Sequence, residues 1–226
     1  MTSNSPFSII WLDAHIGLST ECQGLKKLFQ ADLAPAAAQF PVPVDPIDAM
    51  ICSIREFGAS ISFASTIEDA LQLIDANSYY RKKIILITSA SFGKQIIPEI
   101  QERDFSIHSY YIFCGNMTSN VEWALEYFEN GMKIQMFDFE IDLLIRLSRD
   151  LSDALIEQGK ILLNNNPQAA LNYFECACAL AEKAIERDTP SDPNDSHRPW
   201  TTHRRILDGE NGLIAQAKQA CNNNTS

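Results

Sequence analysis

Asp13 and His15 stand two residues apart just past one apolar run, and Cys114 closes another. A carboxylate, an imidazole and a thiol are the makings of an activated nucleophile. The surroundings argue against that chemistry, since no glycine-flanked elbow lifts Cys114 or Ser89 out of a strand end. Cys114 therefore reads as a buried structural thiol and His15 as a solvated ring. A second grouping is Thr88-Ser89-Ala90-Ser91-Phe92-Gly93, with Cys114-Gly115-Asn116 farther along. A helix opening there presents the backbone amides of residues 91–93 at its N-terminus, where an anion is favoured. Asp13, His15, Ser89, Ser91, Gly93, Cys114 and Asn116 then line a small-molecule or phosphate crevice. The competing account is that Ser91 caps its own helix and Gly93 eases packing. The four histidines lie far apart and none has helical ligand spacing, so the chain calls for no metal and no cofactor.

The elements that must position these residues are legible. Five short apolar runs fall at residues 8–12, 59–63, 83–87, 110–114 and 134–137, and helical periodicity fills the gaps between them. That alternation predicts an α/β fold, a five-stranded doubly wound parallel sheet in the order 2-1-3-4-5. In such a sheet the crevice opens between strands one and three, at their C-terminal ends. The domain covers residues 1–139. A first helix starts near Thr20 and runs through Leu25, Leu28 and Phe29 to about Leu33. The proline-rich stretch 34–52 reads as an inserted surface loop, with a short helix near Met50 to Ile54. Thr66-Ile67-Glu68-Asp69 opens the second helix with a capping pattern. Ser91 opens the next, through Ile96, Ile97 and Ile100, with Pro98 confined to its first turns. Val121, Trp123, Ala124, Leu125 and Phe128 supply the fourth, which Asn130-Gly131 ends.

Residues 140–188 form a helical hairpin broken at Asn164-Asn165-Asn166-Pro167. Residues 189–226 read as linker and mostly disordered tail: a short helix fits Leu213 to Ala220, and disorder is predicted from Cys221 onward.

Composition narrows the partners. The 226 residues carry a net charge of −11 and only 18 scattered basic side chains, which excludes a phosphate-tracking surface and hence nucleic acid. The N-terminus has no basic region before its short apolar run, so the reading is a cytoplasmic protein with no membrane partner. Six cysteines without a Cys-x-x-Cys pair fit free thiols in that compartment.

The strand–helix order over residues 7–145 resembles the receiver domain of response regulators, in which Asp13 matches an acidic residue after the first strand. Thr88-Ser89 stands where that family carries its phospho-acceptor aspartate, Cys114-Gly115 replaces the hydroxyl residue after strand four, and no lysine ends strand five. The resemblance thus implies a pseudo-receiver. Ile-Trp-Leu-Asp at 10–13, the run 87–98, Tyr-Ile-Phe-Cys-Gly-Asn at 111–116 and Glu-Trp-Ala at 122–124 resemble an N-terminal receiver-like (flavodoxin-like) module of rotifer-type multidomain proteins. There it precedes ADP-ribosyltransferase or tetratricopeptide regions; no transferase motif follows here.

The hairpin resembles a single tetratricopeptide repeat. Gly159, Leu162, Ala170, Phe174 and Ala177 supply the small–large–small pattern and the docking face that this resemblance implies. One repeat cannot bury its own face, which leaves packing on the sheet domain, further domains of a longer relative, or a protein partner. Residues 84–92 with Pro98-Glu99-Ile100 also resemble TIR domains, whose catalytic members cleave NAD with a helix glutamate; Glu99 takes that role if the resemblance extends to activity. Its spacing from Ser89 is about two residues short and the family's Trp-Cys is absent. The leading expectation is a non-catalytic adaptor module that binds a protein through the hairpin, and the alternative is a nucleotide- or NAD-binding TIR-like domain.

Overall fold

β1 (Phe7–Leu12) has no exposed residue, the pattern of a strand covered on both faces. The computed structural model describes residues 7–15, 60–187 and 201–223, which divide into two compact units at Leu143/Leu144. The expected helix from Thr20, the loop 34–52, the helix near Met50, and Cys22 and Cys52 lie outside the described residues.

In the first unit β1 is followed by β2 (Ser60–Ala64), α1 (Ile67–Tyr79), β3 (Lys83–Ser89), α2 (Ala90–Glu102), β4 (Ser109–Phe113), α3 (Val121–Glu129) and β5 (Ile134–Phe137). The strands form one sheet in the order β2-β1-β3-β4-β5, and every pair is parallel. The fold is the wound α/β sheet that the alternating pattern predicts. Ile10, Leu12, Ile84, Leu86 and Ile112 on one sheet face pack with Ala70, Leu71 and Ile74 of α1 and Ile96, Ile97 and Ile100 of α2. Alternate residues point the other way; Ile9, Trp11, Ile85, Ile87 and Tyr111 are equally buried. The sheet ends in two short edge strands, β2 with five residues and β5 with four.

Thr66 caps α1 as predicted, accepting the Asp69 N–H at 3.1 Å. The cap of α2 is Ser89, not Ser91: Ser89 Oγ accepts the Phe92 N–H at 3.4 Å, and Ser91 Oγ lies 3.0 Å from it. β3 outruns its apolar run by two residues because Thr88 pairs between Leu12 and Ile112 and is fully buried. Pro98 sits near the middle of α2 rather than in its first turns. It lies on the exposed face, where the Lys94 carbonyl it deprives of a partner is open to water.

The second unit holds most of α4 (Glu140–Leu162), then α5 (Pro167–Arg187), α6 (Thr201–Leu207) and α7 (Leu213–Asn223). The α4–α5 turn is closed by Asn165 and Asn166 N–H groups donating to the Leu162 carbonyl at 3.0 and 2.7 Å. Asn166 then caps α5 by accepting the Ala169 N–H at 3.1 Å, with Pro167 at the first helical position. The two helices cross tightly at Gly159, where a Cβ would fall 2.4 Å from a ring carbon of Phe174. Ser152 Oγ donates across the same interface to the Ala177 carbonyl at 2.8 Å.

Of the tail, the described residues 201–223 hold the expected helix from Leu213 and depart from the expected linker and disorder at 201–207 and 221–223. α7 lies along α5, with Lys218 Nζ 3.8 Å from Glu175 and Cys221 Sγ donating to Gln168 Oε1 at 3.8 Å. In α6, His203 Nε2 meets Asp153 Oδ1 of α4 at 2.8 Å. Residues 221–223 are helical because burial of Ala217 and packing on α5 outweigh an asparagine-rich composition.

Candidate functional site

The register that pairs Leu12 with Thr88 sets Asp13 beside Ser89 at the C-terminal edge of the sheet. Asp13 is held by local bonds. Its N–H donates to the Ala64 carbonyl at 3.1 Å, and its Oδ1 accepts the His15 N–H at 2.9 Å, which turns the chain out of β1. His15 is exposed. Ser89 caps α2 with Ser91 hydrogen-bonded to it, and Asp13 follows the end of the neighbouring strand.

Three expected members serve other purposes. Gly93 is buried in packing: a Cβ there would lie 3.0 Å from Trp123 Cη2 and 3.3 Å from Ile112 Cδ1. It lets α2 approach β4 and α3, the competing account given above. Asn116 organises the turn into α3, accepting the Ser119 N–H on its Oδ1 at 3.2 Å while its carbonyl takes Ser119 Oγ and Asn120 Nδ2. Cys114 follows β4, two strands from β1, so about 10 Å of sheet separates it from the Asp13–His15 turn. No dyad forms. Burial first and nearby Asp138 second push its thiol up, away from the thiolate a nucleophile needs.

Glu99 is not at the crevice either. It is ten residues beyond Ser89 on α2, about 15 Å down the helix axis. Its carboxylate meets Arg103 at 3.5 Å, and Arg103 reaches Glu68 of α1 at 4.0 Å. Among the described residues no group of His, Cys, Asp and Glu could hold a metal ion, and no helix is long and apolar enough to cross a membrane.

The four hairpin positions Gly159, Ala170, Phe174 and Ala177 are buried, and Leu162 is half-buried. The pattern predicted a docking face; these side chains form the interior of the helical unit instead. A partner-facing stripe does occur, on α3. Val121, Leu125 and Phe128 are 40%, 47% and 61% exposed and share one face at i, i+4 and i+7. The helix buries Ala124 and half-buries Trp123 and Tyr127 against the core. Glu122, Glu126 and Glu129, each one position on from a stripe residue, are exposed beside it.

The four described cysteines are free thiols, and their environments separate them. Burial, helped by Glu175, pushes Cys176 up to about 11. At about pH 8 a disulfide reagent is expected to modify Cys178 and Cys221 in the folded protein, and Cys114 and Cys176 only after unfolding. From pH 9.0 to about 11 the unfolded chain loses the Cys176 proton that the folded chain keeps. Stability is therefore full below that window and declines as pH rises through it. Cys176→Ala is expected to flatten the decline in denaturant melts, leaving the parts due to Cys114, Tyr110 and Tyr173, which burial raises in the same way.

No family model, curated protein or solved structure matches this chain.

Proposed function

We propose that the chain is a non-catalytic protein-interaction module, a receiver-like domain without a phospho-acceptor, which takes a basic amphipathic helix of a protein partner on the outer stripe of α3. The observation that carries this reading is the exposed row Val121, Leu125 and Phe128. Three large apolar side chains in line on one helix are what a helix-in-groove partner reads. The adjoining glutamates and the net charge of −11 favour a cationic segment. The stripe side chains are already about half covered, so each gains roughly 1 kcal/mol when a partner completes its burial, and the cost of association keeps the interaction weak. The crevice adds no rival chemistry: its carboxylate is engaged by its own turn, and both the thiol and Glu99 lie apart from it.

The test is calorimetric titration with a synthetic helix carrying leucine on one face and lysine on the other. Saturable binding that weakens with salt is expected. It should fall at least tenfold for the Leu125→Asp/Phe128→Asp double variant, whose exposed positions leave the fold intact. A leucine/glutamate peptide of the same pattern should not bind. Equal binding by wild type and double variant, or none by wild type, overturns the reading.

A further inference from the structure

At the end of the sheet opposite the crevice, a cavity of about 410 Å³ opens between the α1–β3 and α2–β4 connections. That volume is in the range of small-molecule sites. Arg81, Lys82 and Lys83 line it from one side, and Ser106 and His108 from the other. Arg81-Lys82-Lys83 is the only run of three lysines or arginines in an acidic chain. The topology brings it there: Arg81, in the left-handed region at φ 53, ends α1 and turns the chain so that Lys83 opens β3. His108 is held opposite by its N–H, which donates to the Ile84 carbonyl at 2.7 Å.

Two features of this cavity want a partner. Ser78 Oγ, a lining hydroxyl, is buried and makes no hydrogen bond, an uncommon and costly state. Neither Arg81 nor Lys82 is in an ion pair among the described residues, and burial lowers the Lys82 pKa. The carbonyls ending α1 attract cations to this position, but they leave the Ser78 hydroxyl unanswered. Asp104 is the one carboxylate in the lining; three fixed cations outweigh it. A tetrahedral dianion fits the demand, because it accepts from a hydroxyl, an ammonium and a forked guanidinium at once.

We infer that this cavity at the N-terminal edge of the sheet binds the phosphate group of a small soluble phosphate ester, held by Arg81, Lys82 and the Ser78 hydroxyl. The volume exceeds that of inorganic phosphate, and half-buried Phe105 supplies an apolar wall for the organic part. The site does not involve the α3 stripe, so its failure leaves the docking proposal standing, and the reverse.

The experiment is titration of the full chain at fixed ionic strength with glycerol 3-phosphate, inorganic phosphate and sulfate, followed by amide chemical shifts. Saturable shifts confined to residues 78–83 and 104–108 are expected, with the ester at least threefold tighter than inorganic phosphate. Arg81→Ala/Lys82→Ala should weaken binding at least tenfold while keeping the wild-type spectrum elsewhere. Ser78→Ala should weaken it several-fold without loss of folding, and Leu125→Asp/Phe128→Asp should leave it unchanged. Shifts scattered over the surface, an equal response to sulfate, or an unchanged affinity in the double variant overturns the inference.

Discussion

Phe174→Ala is expected to destabilise the helical unit by about 3–5 kcal/mol, measured as a lowered urea midpoint by far-ultraviolet circular dichroism. The ring is fully buried and fills the space that Gly159 leaves open, so truncation loses both its transfer free energy and its contacts. The partner substitution tests the same crossing by sign. In an exposed helix interior Gly→Ala stabilises by up to about 1 kcal/mol. At Gly159 the added Cβ lies 2.4, 2.8 and 2.9 Å from three atoms of the Phe174 ring, and overpacking of that kind costs about 1–3 kcal/mol. Gly159→Ala should therefore destabilise. Gly159→Ala/Phe174→Leu should recover part of the loss, a coupling that two independent sites would not show. A stabilised Gly159→Ala protein would mean that the helices cross elsewhere.

The second large effect concerns the end of β3. Thr88→Asp is expected to cost at least about 3 kcal/mol, because position 88 is fully buried between Leu12 and Ile112 and offers a carboxylate no partner. Ser89→Asp should stay within about 0.5 kcal/mol of wild type, since aspartate caps a helix as well as serine does and favours its N-terminus. Thermal melts of the two variants separate these outcomes. Equal effects would move the strand end and with it the whole crevice.

The sheet was legible because strands buried on both faces leave continuous apolar runs such as Ile84-Ile85-Leu86-Ile87. The end of β3 was not, because Thr88 is polar in sequence yet buried by its two neighbouring strands. On α3 the periodicity holds two apolar rows, Trp123–Ala124–Tyr127 and Val121–Leu125–Phe128. A helical pattern identifies both but does not say which one faces the core. The hairpin shows the same limit: Gly159 and Phe174 announce a close crossing, and only the packed structure tells that the crossing is internal. Helix α7 was underestimated because tertiary contacts with α5 stabilise it, not its own propensity.

Spacing places Asp13 and Ser89 at adjacent strand ends, but nothing in it reveals that the aspartate bonds its own turn or that Gly93 lies beneath Trp123. The basic run at 81–83 does not stand out among basic side chains that read as scattered along the sequence. Its meaning depends on the α2–β4 connection, more than twenty residues away, closing over it.

The two edges of the sheet have a bearing on self-association. An open row of backbone donors and acceptors invites another strand, and among the described residues the sheet offers one only along β2 and β5, of five and four residues. Ser60, Ser62 and Gln135 break their apolar character. The long, greasy strands β1 and β3, the segments best suited to seed a fibril, are enclosed in the middle of the sheet. Recruitment of further chains then falls to side chains on helices, and the protein should resist templated aggregation for as long as its sheet stays closed between those two edges.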